Sequence, residues 1–209
     1  MACGVLAGCG AGGPTFGQAP VREERAAVRG LLEAVEGLPE GFSARPREAW
    51  RPPFRAAGAE CRALLDAAAG RPPGERPRVR AAVAFDGDRV GEYASAAVAG
   101  YAGGAGDAFD ALRDALDECG RARPARRQDP GRGTSFTLAP LEVGDLADGA
   151  RGARLRGRLD GYPYEMHLVF VHAGQTLISM VHTGVDTADP ARTAAFARAV
   201  TAKVTGEAE

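Results

Sequence analysis

The side chains best suited to acid–base or metal chemistry lie in one short stretch. Among 209 residues there are three histidines, His167, His172 and His182, and all fall in a segment that reads as a β-hairpin. Tyr164 to Ala173 and Thr176 to Thr183 carry the strand pattern, and Gly174-Gln175 supplies a two-residue turn with Gly in the first position of type II′. That turn fixes the register, placing His167 opposite His182 with Glu165 on the same face. Two imidazoles and a carboxylate so placed, Glu165, His167 and His182, are a candidate zinc set, and a metal-assisted hydrolase is the reaction it would serve. The same face continues through Val169, Val171, Ile178 and Met180, which is the pattern of a packed core. The sequence therefore favours two polar neighbours on a buried face, with no metal, no cofactor and no catalytic residue.

The cysteines point to a different chemistry. Leu6-Ala7-Gly8-Cys9, followed by Gly10-Ala11-Gly12-Gly13, reads as a bacterial lipoprotein cleavage box. Small residues ahead of the cysteine fit a narrow peptidase channel, and the Cys9 thiol takes the lipid. Eight residues precede Cys9, fewer than a basic region plus an apolar region of about 7 to 15 residues requires, so a start upstream of Met1 is expected and Cys3 falls in the discarded leader. Of the four cysteines, Cys61 and Cys119 remain, and an even pair in an exported chain is most simply a disulfide. Closing a loop of about 60 residues is worth roughly 4 kcal/mol on chain-entropy grounds.

Composition limits the partners. With 26 basic and 27 acidic residues and a net charge of −1, no global field steers the chain to nucleic acid. Arg154, Arg156 and Arg158, alternating along one strand and joined by Arg126-Arg127, are either an anion-binding surface or a solvated face that discourages edge pairing. The stretch Gly8 to Gly13 matches a dinucleotide fingerprint in letters only, because no strand precedes it. Asp86-Gly87-Asp88 opens like a calcium loop, yet its twelfth position would be Ala97, where a bidentate Glu is needed.

The elements that position these residues follow from periodicity and breakers. Residues 1–9 are the leader, 10–20 a Gly/Pro-rich tether, and 21–205 one domain whose 45% hydrophobic content is ample for a core. Val21, Val28, Leu31, Leu32 and Val35 define a first helix, and Ala59 to Ala69 a second. Val79 to Phe85 alternates as a strand before Asp86-Gly87-Asp88. The alanine-rich run that follows predicts a helix pair, 88–102 and 106–119, the second with Phe109, Leu112, Leu116 and Cys119 on its buried stripe. A basic loop spans 121–132. Strands over Ser135 to Leu141 and Ala150 to Leu159 precede the hairpin, and a last helix, Pro190 to Val204, starts from Asp189 as N-cap. Strands gathered late with short connections give an α+β fold, a twisted antiparallel sheet flanked by helices in a single domain with one disulfide. Trp50, Tyr93, Tyr101, Tyr162 and Tyr164 are the aromatics placed to line a pocket.

The run Leu31-Leu32-Glu33-Ala34-Val35-Glu36-Gly37-Leu38-Pro39-Glu40-Gly41-Phe42, then Cys61, Tyr93 to Cys119, Val143-Gly144-Asp145 and the Leu168 to Leu177 hairpin resemble a known layout. It is that of exported actinobacterial lipoproteins whose sensor domain is similar to the PknH-like extracellular domain of mycobacterial receptor kinases. The resemblance spans residues 28 to 204. It implies a twisted antiparallel sheet with flanking helices around a central cleft. The kinase-attached domains carry two disulfides, whereas only one candidate pair is present here. The function expected is a non-catalytic cell-envelope lipoprotein, held on the outer face of the cell membrane through Cys9. Its domain binds a small or lipidic envelope molecule or a partner protein, at residues the sequence does not identify. The alternatives are the hydrolase above and a structural accessory lipoprotein.

Overall fold

Among the described residues, seven strands form one fully antiparallel sheet, in which chain neighbours pair and one pairing, Tyr93–Gly100 with Thr176–Thr183, is long-range. The computed structural model describes residues 21–43, 47–125 and 133–206. Cys9, the tether and Arg126-Arg127 lie outside the described residues. In chain order the elements are α1 (Val21–Glu33), α2 (Ala59–Ala68), β1 (Val79–Asp86), β2 (Tyr93–Gly100), α3 (Ala105–Glu118) and β3 (Arg121–Ala122). Then follow β4 (Ser135–Leu141), β5 (Gly149–Leu159), β6 (Tyr162–Ala173), β7 (Thr176–Val185) and α4 (Pro190–Thr205). The strand order is β1-β2-β7-β6-β5-β4-β3.

The period of two sorts each central strand onto two cores. On one face Met166, Leu168, Phe170, Leu177 and Val181 pack under α2 and α3, with Leu64, Leu65 and Leu112. On the other, Val169, Val171, Ile178 and Met180 pack under α1 and α4, with Leu32, Phe196 and Val200. Helices thus cover both sides, and β7 is buried along nearly its whole length. The Cys61–Cys119 disulfide is formed, with Cα atoms 5.1 Å apart, and ties α2 to the end of α3.

One predicted helix is a strand. Where alanine content predicts a helix over 88–102, Asp86 to Glu92 makes a turn with Gly91 at φ 70°, and Tyr93–Gly100 runs back along β1 in unbroken register. The same residues pair with Thr176–Thr183 of β7 on the other edge. Alanine's helix propensity amounts to a few tenths of a kcal/mol per residue over most alternatives, and two backbone ladders outweigh it. Small side chains serve a strand pressed on both faces: a Cβ added to Gly70, in the turn after α2, would sit 3.3 Å from the Ala97 Cβ. The predicted loop over 121–132 also begins with a strand, because Arg121 and Ala122 pair with Thr137 and Phe136 at the sheet edge.

Candidate functional site

The hairpin brings the predicted residues together as its turn requires. Gly174 has φ 56°, and His167 pairs directly with His182, Glu165 with Gly184. Both rings point into the α4 side of the sheet and are essentially inaccessible, His167 at 0% and His182 at 1% exposure. His172 lies elsewhere, stacked on Phe109 near the turn.

The arrangement is a hydrogen-bonded chain. Asp189 caps α4 by accepting from the Ala191 and Arg192 N–H groups, with Pro190 in the first turn. That geometry sets Thr193 one turn in, where its Oγ1 sits 2.7 Å from His167 Nδ1 and 2.8 Å from His182 Nδ1. The outer nitrogens diverge. His167 Nε2 meets Glu165 Oε1 at 2.8 Å, while His182 Nε2 meets Glu92 Oε1 at 3.1 Å. Each imidazole therefore has both nitrogens committed to a separate partner, and no shared point receives two ring nitrogens and a carboxylate. Among the described residues no three His, Cys, Asp or Glu side chains are grouped to hold a metal ion.

Charges from other elements close the cluster. Arg192 pairs with Glu92 at 3.2 Å and with Asp88 at 3.1 Å, and its guanidinium lies 4.8 Å over the Phe42 ring. Arg156 approaches Glu165 at 3.7 Å, so one member of the arginine ladder compensates a buried carboxylate, while Arg158 donates to the Gly161 carbonyl. Burial pushes both imidazoles below the usual histidine value, with Glu165 and Glu92 pulling the other way. Glu92, Thr193 and Arg192 are absent from the sequence-level set. A threonine one turn after an N-cap aspartate, on a helix facing paired histidines, is the signal that could have marked Thr193.

Among the described residues, two of the concavities that open to solvent bear on binding. One, of about 470 Å³, lies beside α2 and is lined by Pro52, Phe54, Arg55, Arg62, Asp66 and Arg71 among others. Phe54 stacks on Phe136 of β4 with centroids 5.6 Å apart, so the wall between α2 and the sheet edge is firm. Three arginines and one aspartate line it; Asp66 pairs with Arg71 at 2.6 Å, and the Arg62 guanidinium donates to the Ala56 and Ala57 carbonyls at 3.4 and 3.5 Å. The other, of about 710 Å³, runs between α1 and α4, and its rim mixes Glu36 and Asp145 with Arg198 and Lys203. Of the predicted pocket aromatics, Trp50 and Tyr101 are buried, Tyr162 is exposed, and Tyr93 and Tyr164 edge the α2/α3 core. Burial pushes the Tyr101 phenol up to about 12, with Glu75 adding to it.

The class defined by these features is a helix-flanked antiparallel sheet whose titratable cluster is sealed inside. The fold is similar to that of the extracellular domain of PknH from Mycobacterium tuberculosis, with TM-score 0.57 at 14% identity over 91% of this chain and 100% of that one. A Mycobacterium smegmatis protein, the Rv0999 ortholog, matches with TM-score 0.50 at 15% identity, covering 85% and 96% of the two chains. No family model and no curated protein matches this sequence.

Proposed function

We propose that the protein is an extracytoplasmic, non-catalytic, sensor-like domain, lipid-anchored through Cys9, that binds a small or lipidic envelope molecule carrying an anionic group. The groove beside α2 carries this reading. Arg55, Arg62 and Arg71 against Asp66 give it a positive interior, and planar guanidiniums suit carboxylate or phosphate oxygens. A volume of about 470 Å³ lies within the usual range for small-molecule sites. Pro52 and Pro53 restrict the backbone on one wall, so little order need be gained on binding. The fold shared with the PknH extracellular domain supports the location, and the absence of solvent access to His167 and His182 supports binding without catalysis.

Trp50, the only tryptophan, lies two residues before the groove wall and reports on it. Titrating the exported protein with short-chain phosphatidylglycerol should change its fluorescence, with phosphatidylcholine binding at least tenfold more weakly. Charge-assisted hydrogen bonds are worth roughly 1.5–3 kcal/mol each, so the double substitution Arg62→Ala, Arg71→Ala should weaken binding more than tenfold. Equal response to both lipids, or an unaffected double variant, would remove the groove as the site. For the anchor, Cys9→Ser should move the exported chain from the membrane fraction to the soluble one.

A further inference from the structure

Counting protons in the buried chain Glu165, His167, Thr193, His182, Glu92 shows that it holds more than neutral rings and carboxylates supply. The Thr193 hydroxyl has one proton and three polar neighbours: the two Nδ1 atoms and, at 3.0 Å, the Asp189 carbonyl. A hydroxyl donates once. If it donates to one ring, that ring carries its proton on Nε2 and donates to its own carboxylate. The other ring must then donate from Nδ1 to Thr193, and its bare Nε2 faces a carboxylate oxygen. That contact is a hydrogen bond only if a further proton lies in it. If the hydroxyl donates to Asp189 instead, both pairs need one. At least one histidine–glutamate pair therefore stores a proton.

The surroundings choose the pair. The two ring nitrogens lie nearer the Thr193 hydroxyl, at 2.7 and 2.8 Å, than the Asp189 carbonyl does at 3.0 Å, and that carbonyl has the Thr193 N–H as well, so the hydroxyl proton goes to a ring. Glu92 is supported as an anion by Arg192 at 3.2 Å and by the Arg89 N–H at 3.3 Å, besides His182. Glu165 meets one guanidinium, Arg156, at 3.7 Å, and that side chain is 65% exposed. His182 is thus the ring that accepts from Thr193 and donates to Glu92. His167 donates from Nδ1 and shares the extra proton with Glu165 across 2.8 Å.

We propose that His167 and Glu165 store one proton at neutral pH as part of a clasp that seats α4 on the sheet, and that losing it as pH rises loosens the first turns of α4. The proton belongs to the pair and to neither residue alone: burial, which pushes an isolated His167 ring toward its neutral form, favours the pair holding one proton because that pair is uncharged as a whole whereas the emptied pair is an anion. The other charged groups facing the clasp are Arg154 from β5 and Asp189 ahead of α4, which act on His167, and Arg192 from α4, which acts on His182. From the β1–β2 turn, Asp88 holds Arg192 and Arg89 pairs with Asp189. Phe42 closes the remaining side, edge-on to His182 at 5.5 Å. An unfolded histidine is neutral above its ordinary value of about 6.5, so above that pH the folded state binds one proton more than the unfolded state. The folding equilibrium constant then falls up to tenfold per pH unit on going alkaline, until the pair is empty.

Glu165→Gln is the discriminating variant, because an amide N–H donates to His167 Nε2 without storing a proton. Urea unfolding between pH 7 and 9 should show the wild type losing up to tenfold per unit relative to Glu165→Gln, with amide protection in the first turns of α4 falling in the wild type alone. Nitrogen-15 spectra of the wild-type imidazoles at pH 7 should show His167 protonated at Nδ1 and His182 protonated at Nε2 only. Parallel pH dependences of the two proteins would overturn the proposal. So would spectra with both rings protonated only at Nε2, which decide the matter even if the variant does not fold.

Discussion

His182 gives the acid side of the same cluster its sign. Its ring is almost completely buried, and burial holds it below the ordinary histidine value against the pull of Glu92. In the unfolded chain the ring takes a proton near pH 6.5, while the folded ring refuses it until lower pH. The unfolded state therefore binds more protons in that window, so the stability contributed by neutral His182 is complete above about pH 6.5 and is lost as pH falls toward the folded value. Urea midpoints measured from pH 7 to pH 5, with Trp50 as reporter, should fall in the wild type more steeply than in His182→Gln, by up to tenfold in the folding constant per pH unit. With the alkaline loss from the stored proton, the cluster favours a maximum near neutral pH. The pairing of His167 with His182 was legible because a two-residue turn leaves one register. Thr193 and Glu92 were not, because they meet the rings through the docking of a helix and the closing of a turn, which no local pattern encodes.

At the scale of elements, legibility follows how many forces agree. α1, α2 and α4 have periodicity and breakers pointing the same way, with the Asp189 cap added at α4, and they fall within about two residues of the sequence reading. The β6–β7 hairpin is stronger still, with turn chemistry and strand composition in accord. β2 fails because its local preference opposes its place in the fold. Tyr93–Gly100 is mostly alanine and valine without polar alternation, since a strand covered by helices on both faces has no solvent side to mark. β3 is two residues long and exists through its partner β4. The glycines of β5 have a purpose that periodicity does not show: a Cβ at Gly157 would overlap the Ser135 carbonyl, and one at Gly152 would crowd Val143. The close approach of β4 to β5 depends on their absence of side chains.

The whole molecule is a sheet between two helical layers, and the layers are unequally built. The α1/α4 layer contributes Val28, Leu32, Phe196, Val200 and Val204 to its core and is tied to the sheet by the buried hydrogen-bond clasp. The α2/α3 layer contributes Leu64, Leu65 and Leu112, but its other buried positions are largely alanine, Ala67, Ala68, Ala105, Ala108 and Ala115, each burying little apolar area. The covalent link between Cys61 and Cys119 falls in this weaker layer and spans 58 residues. Chain-entropy reasoning assigns such a loop roughly 4 kcal/mol, a large share of the roughly 5–15 kcal/mol that separates folded from unfolded domains. Reduction, or the pair Cys61→Ser, Cys119→Ser, should therefore lower stability by about that amount in urea titrations. The loss should also be uneven. Amide exchange in α2 and α3 should accelerate far more than in β6, β7 and α4, whose packing does not pass through the disulfide. Uniform acceleration across the molecule would show instead that the two layers unfold only together and that the bridge acts solely on the unfolded chain. Because the groove beside α2 is walled by this same layer, reduction should weaken anionic-lipid binding under conditions where the sheet remains folded. On the proposed function, that coupling would make an oxidising environment a condition of binding as well as of stability.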